Sequence, residues 1–166
     1  MAQVNIQLPD GSIRGFESGT TGMEIAKAIS PKLAKEAIAV KVDGFVTDLS
    51  TPIPKDAPVE ILTFDHPEGR QVFWHSSSHI MAQAVLELFP QAKLAIGPPI
   101  AEGWYYDFEV SKPFSPEDLE KIEERMSEII KEDAPFRREV KKRGEAIDYY
   151  RDKGATYKVE LLEDLE

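Results

Sequence analysis

Cysteine is absent from the 166 residues. Its absence excludes disulfides, thiolate metal ligands and cysteine nucleophiles, so histidine, aspartate and glutamate remain as candidate catalytic acids, bases or metal ligands. No run of about 18 apolar residues occurs either, so we expect no transmembrane helix. The first residues, MAQVNIQLPDG, combine neither a basic nor an apolar segment. We therefore expect no secretory signal and a cytoplasmic location.

Basic residues are in the minority. The chain has 20 Lys+Arg and 30 Asp+Glu, a formal net charge of −10. This balance argues against indiscriminate binding of polyanions, although a local basic patch can override it. Residues 1–64 contribute 6 basic and 8 acidic side chains and residues 65–166 contribute 14 and 22, so most of the negative charge belongs to the second part.

The first part alternates short strands with one helix. Val4, Ile6 and Leu8 alternate with polar residues, and the turn at residues 9–12 predicts a β-hairpin with residues 13–16. Thr21 and Glu24 form a capping box, and apolar residues then recur at helical spacing through Leu33. Further strands are predicted at residues 37–42, 45–47 and 59–62, with Asp43-Gly44 as a hairpin turn. Residues 1–64 therefore indicate a ubiquitin-like β-grasp fold.

The polar segment 63–70 contains Pro67 and Gly69 and is the predicted domain boundary. Beyond it the pattern is α+β. Helices are predicted at residues 71–89, 117–133 and 144–151, and strands at residues 93–96, 104–108, 136–140 and 157–162.

The acidic helix has a clear start. Ser115 is the predicted N-cap and Pro116 the first helical residue. Its apolar stripe is expected to be buried, and its acids to form a solvated face. The stripe consists of Leu119, Ile122, Met126, Ile129 and Ile130.

Two histidines, His75 and His79, lie four residues apart and therefore on one face of a helix. That face also holds the small residues Ser78 and Ala82, as a cleft wall would. Three interpretations stay open at this point. The histidines bind a metal, although HExxH is absent because Ser76 takes the place of its glutamate. They are structural, or they act as an acid/base or substrate-orienting pair.

Two further features each allow two interpretations. The segment 104–108 is rich in aromatic residues that either stack on a base or ribose or fill a core. Gly97 and Gly103 beside it permit close approach of another group. A basic cluster has five positive charges in seven residues, and it either contacts phosphates or protects an edge strand. Its members are Arg137, Arg138, Lys141, Lys142 and Arg143.

Five segments together resemble the N-terminal region of bacterial threonyl-tRNA synthetases, in order and over essentially the whole chain. They are LPDGS (8–12), VDGFVTDLSTPI (42–53), HSSSHIMAQAV (75–85), AIGPPIAEGWYYDF (95–108) and ATYKVELLED (155–164). The resemblance implies a TGS domain at residues 1–64 and the first part of an editing domain at residues 65–166.

The family is known for an ATP-dependent ligase activity that activates threonine and attaches it to tRNA(Thr). It also hydrolyses mischarged seryl-tRNA(Thr) in the editing domain. The resemblance implies that His75, His79 and Lys158 are catalytic for editing, and that Gly97 and Tyr106 bind the substrate. Both tRNA species are the implied partners, and the parent protein is expected to be a homodimer through its catalytic domain.

One departure from the family matters. Its editing site also uses a C-x-x-x-H segment beyond the YKV motif, and this chain has no cysteine and no histidine after His79. We therefore expect a fragment that neither charges tRNA nor edits efficiently. No metal or other cofactor is expected to bind these residues, and ATP, magnesium and zinc are expected in the missing catalytic domain.

Two alternatives remain. The first is a freestanding RNA- or nucleotide-binding TGS module without catalysis, which a natural stop codon after residue 166 would support. The second is a zinc-dependent hydrolase that uses His75 and His79, for which stoichiometric zinc in the purified chain would be the evidence.

Overall fold

The computed structural model describes residues 2–135 and 138–165. The chain forms two compact units, one up to Phe73 and the other from Trp74. The boundary between them falls within a long helix, after the segment 63–70 that was expected to separate the domains. No helix within the described ranges is long and apolar enough to cross a membrane.

The first unit is built on a five-stranded mixed sheet. Its elements are β1 (Gln3–Gln7), β2 (Ile13–Glu17), β3 (Thr20–Thr21), α1 (Gly22–Ile29), α2 (Pro31–Glu36), β4 (Ala39–Val42), β5 (Phe45–Thr47), β6 (Pro52–Ile53) and β7 (Ala57–Leu62). The strand order is β2-β1-β7-β4-β5, in which only β1 and β7 are parallel. The predicted β-grasp fold is confirmed.

Local turn chemistry accounts for the two hairpins. The first turn closes with a hydrogen bond from the Leu8 amide to the Ser12 carbonyl (2.8 Å), and the Asp10 carboxylate accepts from the Ser12 amide (2.9 Å). In the second, Asp43 and Gly44 have φ of 51° and 82°. Two consecutive positive φ values match the twist of a two-residue hairpin, as the Asp-Gly pair predicts.

The helix of the first unit begins as predicted but ends earlier. The Thr21 hydroxyl accepts from the Glu24 amide (3.3 Å), and the Glu24 carboxylate accepts from the Thr21 amide (2.8 Å). The expected single helix through Leu33 is wrong, because Ser30 is extended and separates α1 from α2. Pro31 disfavours helical backbone at the residue before it, which explains the break.

The second unit contains α3 (Pro67–Leu88) from Trp74 onward. It also contains β8 (Lys93–Leu94), β9 (Pro99–Ile100), β10 (Gly103–Trp104), β11 (Phe108–Glu109), α4 (Pro116–Lys131), α5 (Arg143–Asp152) and α6 (Thr156–Asp164). β8 pairs with β11 and β9 with β10, both antiparallel. The core of this unit consists of Ala84, Val85, Ala92, Ile122 and Ile129.

The segment 104–108 is not the continuous strand expected, since only its two ends lie in these ladders. Burial nevertheless alternates along it, with Trp104 and Tyr106 half-buried and Tyr105 and Asp107 exposed.

The acidic helix α4 starts at the predicted cap, where the Ser115 hydroxyl accepts from the Asp118 amide (3.3 Å). Its buried stripe is narrower than expected. Ile122 and Ile129 are buried, whereas Leu119 is 57% exposed and Ile130 60% exposed.

The strand expected at residues 157–162 is wrong, because these residues lie in α6. Tyr and Val favour strands, but Glu and Leu are good helix formers, and contact of α6 with α5 settles the outcome. α5 ends as expected near Gly154, whose φ is 66°. Of the strand expected at 136–140, residues 138–140 form no regular element, and residues 136 and 137 lie outside the described residues.

Candidate active site

The two histidines of α3 lie side by side. The ring centroids of His75 and His79 are 4.7 Å apart and the ring planes differ by 26°. A spacing of four residues places side chains one helical turn apart, and here it produces a stacked pair with solvent-exposed surface.

Ser78 joins the histidine pair to the following loop. Its hydroxyl donates to the carbonyl of His75 (2.7 Å) and lies 3.2 Å from the carbonyl of Gly97. Ser78 and Ala82, the small residues on the face of the histidines, are both buried. The histidines therefore stand at the border of a buried helix face.

Gly97 lies directly against the ring of Tyr106. A Cβ atom at Gly97 would be 2.1 Å from Cδ2 of Tyr106, closer than any real contact. The backbone just before Gly97 pairs with the residue after Tyr106, since the Ala95 amide donates to the Asp107 carbonyl (3.0 Å) and the Asp107 amide to the Ile96 carbonyl (2.8 Å). Only glycine leaves room for the ring at this position.

Tyr106 is held as a neutral phenol. Its ring stacks on Phe108 with centroids 4.9 Å apart. Burial raises the pKa of Tyr106, and Tyr150 adds to the rise. The hydroxyl therefore keeps its proton near neutral pH and can donate a hydrogen bond. Tyr150, on α5, was not singled out from the sequence, because no local motif links it to Tyr106.

Lys158 lies in the first turn of α6, and its charge acts on His79. The pKa of His79 is lowered, first by burial, then by His75 and then by Lys158. His79 keeps exposed surface, yet nearby protein atoms desolvate its ring enough to disfavour the charged form. The structure thus stacks His79 on His75 and connects the pair through Ser78 to Gly97 and Tyr106. Lys158 acts on His79 through its charge.

A neutral imidazole near pH 7 can take a proton from water or a hydroxyl and return it. A lysine ammonium nearby can stabilise negative charge that develops on an oxygen. The arrangement therefore suits proton transfer to and from a water or hydroxyl group, next to an oxygen on which negative charge develops.

A zinc site on the histidine pair lacks further ligands here. Within residues 2–135 and 138–165, no group of three or more His, Asp or Glu side chains is placed to hold a metal ion. Catalytic zinc takes three protein ligands, and the pair supplies two.

The basic cluster is only partly free to contact phosphate. Arg138, Lys141 and Lys142 are exposed, although Lys141 also pairs with Glu139 (2.8 Å). Arg143 donates to the carbonyls of Leu162 and Glu163 near the end of α6. Arg137 lies outside the described residues. The structural role of Arg143 was missed from the sequence, because its partners are about 20 residues away.

Comparison with known proteins adds two findings. The TGS domain family matches residues 4–63. Threonine–tRNA ligase of Desulforamulus reducens is 52% identical over 98% of this chain and 26% of that protein. The same-named protein of Carboxydothermus hydrogenoformans is 49% identical over the same shares, and that of Caldanaerobacter subterraneus subsp. tengcongensis is 52% identical over 96% and 25%.

The chain thus spans about a quarter of the length of the curated relatives it matches. The match covers both units and extends far beyond the TGS domain. The chain therefore contains a TGS domain and is homologous, over nearly all of its length, to part of the threonine–tRNA ligases.

Proposed function

We propose that this chain is the N-terminal part of a threonine–tRNA ligase, with a TGS domain at residues 1–64 and the first part of an editing domain at residues 65–166. The observation that carries the proposal is the similarity to these ligases across both units. The whole protein activates threonine with ATP and attaches it to tRNA(Thr) in the cytoplasm. ATP, magnesium and zinc bind its catalytic domain, which also forms its homodimer.

The second unit belongs to the hydrolysis of mischarged seryl-tRNA(Thr). Serine lacks one methyl group of threonine, which is worth about 1–3 kcal/mol of discrimination in a binding pocket. A ligase that must reject serine therefore gains from a second, hydrolytic site. A separate site can test the bound aminoacyl group after transfer, when the choice no longer depends on the first pocket.

The chemistry required is cleavage of an ester. A water oxygen attacks the seryl carbonyl carbon, the bond to the ribose oxygen breaks, and that oxygen takes up a proton. His75 and His79 handle the proton and orient the water. Lys158 stabilises the negative charge on oxygen, Tyr106 lines the aminoacyl pocket and Gly97 lets the substrate approach the backbone. The stacking of His79 on His75 and the effect of the Lys158 charge on His79 support these roles.

The basic cluster contacts tRNA phosphates through Arg137, Arg138, Lys141, Lys142 and Arg143. The exposure of Arg138, Lys141 and Lys142 supports this role for those three. Arg143 also supports α6 through the Leu162 and Glu163 carbonyls, so replacing it would change the stability of α6 as well as tRNA binding.

The direct test is binding of a stable mimic of the seryl-tRNA 3′ end, 3′-seryl-amino-adenosine, to the 166-residue chain, followed by amide chemical shifts in NMR spectra. We expect shifts concentrated at His75, His79, Gly97, Tyr106 and Lys158. The threonyl analogue should bind more weakly.

Lys158→Met should weaken binding of the seryl analogue. Lys153→Met is the matched control, because Lys153 donates to the hydroxyl of Tyr149 (2.6 Å) and has no part in the proposed site. Shifts that avoid the five residues, or equal loss of affinity in both lysine variants, would contradict the assignment.

By itself the chain should be inactive in aminoacylation, since it spans only about a quarter of the length of the ligases it matches. It should be poor in editing, since no C-x-x-x-H segment is among its residues. Rapid hydrolysis of seryl-tRNA(Thr) by the 166-residue chain, lost on His75→Ala, would show that the missing segment is dispensable.

A further inference from the structure

A chain of three polar side chains ties α6 to the β8–β11 ladder. The hydroxyl of Tyr157 donates to one carboxylate oxygen of Glu109 (2.5 Å), and the other oxygen accepts from the ammonium of Lys93 (2.8 Å). Lys93 and Glu109 are direct partners in the ladder. Both oxygens of Glu109 are therefore engaged, and its orientation toward Tyr157 is fixed.

Charge keeps this contact in place near neutral pH. The pKa of Glu109 is lowered by the hydrogen bonds from Lys93 and Tyr157, so Glu109 is an ionised acceptor. The pKa of Tyr157 is raised by its hydrogen bond to Glu109, so the phenol keeps its proton. Hydrogen bonds to an ionised acceptor are stronger than those between neutral groups.

The first turn of α6 has little local support. Ala155 at its N-cap provides no side-chain hydrogen bond, and the turn contains no acidic residue. It contains Lys158 instead, although a cation at the positive end of a helix dipole is unfavourable. Tertiary contacts therefore add to the support of this turn, and Tyr157 makes one of them.

The same ladder supports the other side of the candidate site. β11 follows Tyr106 after one residue, and the backbone of Asp107 pairs with Ala95 and Ile96, next to Gly97. The contact between Tyr157 and Glu109 thus joins the turn that carries Lys158 to the segment that carries Tyr106.

We propose that Tyr157 and Glu109, with Lys93 behind them, are positioning residues that hold the first turn of α6, and with it Lys158, against the β8–β11 ladder. What Lys158 does in the reaction rests on the proposed function, but its placement does not. Neither Tyr157 nor Glu109 touches the reacting atoms in this assignment, and both act through Lys158.

The test is the pKa of His79 in the 166-residue chain, measured by NMR titration. The charged groups that act on His79 are His75, on the same helix, and Lys158, on α6. Lys158→Met should raise the pKa of His79, and the size of that rise is the reference for the other variants. Tyr157→Phe should raise it by at least about half of that shift, because the ammonium loses its fixed position.

Tyr149→Phe is the matched control. It removes a phenol hydroxyl that also has one polar partner, Lys153, in the same unit. It should leave the His79 titration unchanged. In the Lys158→Met background, Tyr157→Phe should give no further shift, because the two variants act on one interaction.

An unchanged His79 pKa in Tyr157→Phe, or a further shift without Lys158, would overturn the proposal. If Tyr157→Phe unfolds α6, judged from its amide shifts, Glu109→Gln replaces it as the test. Gln keeps an acceptor for Tyr157 but loses the ionic bond to Lys93, so it should raise the His79 pKa by a smaller amount, and no rise would count against the proposal. The titration uses no tRNA, so its result stands even if the seryl analogue fails to bind.

Discussion

Gly97→Ala is the substitution whose cost the structure predicts most directly. The added Cβ would lie 2.1 Å from Cδ2 of Tyr106, and ordinary contacts begin near 3.4 Å, so the groups must separate by about 1.3 Å. The ring cannot move freely because it stacks on Phe108. The glycine backbone is also held, since its carbonyl lies 3.2 Å from the buried Ser78 hydroxyl. Overpacking of this kind costs about 1–3 kcal/mol.

Tryptophan fluorescence in urea can measure this cost for the second unit alone. The chain has two tryptophans, Trp74 and Trp104, and both belong to that unit. With a denaturant dependence of about 1–2 kcal/mol per molar urea, the midpoint should fall by roughly 1 M. The expected direction is loss of stability, with no change in the first unit.

Gly144→Ala is the control. No atom lies within 4 Å of the position that its Cβ would take, and Gly144 is in α5. Alanine there should be neutral or stabilising by up to about 1 kcal/mol. Equal midpoints for Gly97→Ala and the parent chain, with Gly144→Ala behaving as stated, would refute the packing of Tyr106 over Gly97.

Three further predictions follow from single contacts. Ser78→Ala should lower the free energy of unfolding of the second unit by about 1–2 kcal/mol in the same fluorescence assay, because the Gly97 and His75 carbonyls lose the buried Ser78 hydroxyl as a partner. Thr21→Ala should cost the first unit about 1 kcal/mol through loss of its capping box, seen as faster hydrogen exchange in α1, whereas unchanged exchange would refute it. The lowered pKa of His79 means that the unfolded chain binds the proton more tightly, so stability present above pH 6.5 should fall as pH drops from 6.5 toward the lowered value. Urea midpoints at pH 7.5 and 5.5 check this, and His79→Gln should reduce the difference.

The first unit could be predicted almost completely because its signals are local. The Asp43-Gly44 turn and the Thr21 capping box each act within four residues, and both occur as expected. The break at Ser30 was missed although Pro31 indicates it, and the two-residue strands β3 and β6 were not predicted. Short-range chemistry determines such elements before any tertiary contact forms.

The second unit was predicted less well because its decisive contacts are distant. Residues 157–162 carry both strand and helix formers, and the contact of α6 with α5 decides between them. The buried width of the apolar stripe on α4 was overestimated, since Leu119 and Ile130 remain exposed. The pattern of apolar residues does not indicate how wide the surface is against which the helix packs.

The candidate site also combines features that the sequence predicted with features that it did not. The spacing of His75 and His79 predicted a shared helix face, and the stacked rings follow from it. Lys158 was linked to them by the family resemblance alone, since nothing in spacing or composition indicates that residues 79 apart in the sequence act on each other. The buried role of Ser78 was missed for the same reason.

The sequence by itself determined the β-grasp unit, the capped starts of α1 and α4 and the absence of thiol chemistry, because residue type and spacing settle these within a few positions. Only the tertiary structure decided that Ser78 is buried against Gly97, that Tyr106 lies over that glycine and that the charge of Lys158, in the first turn of α6, acts on His79. These contacts join residues that are not neighbours in the sequence, so they form only when the whole second unit packs around its core.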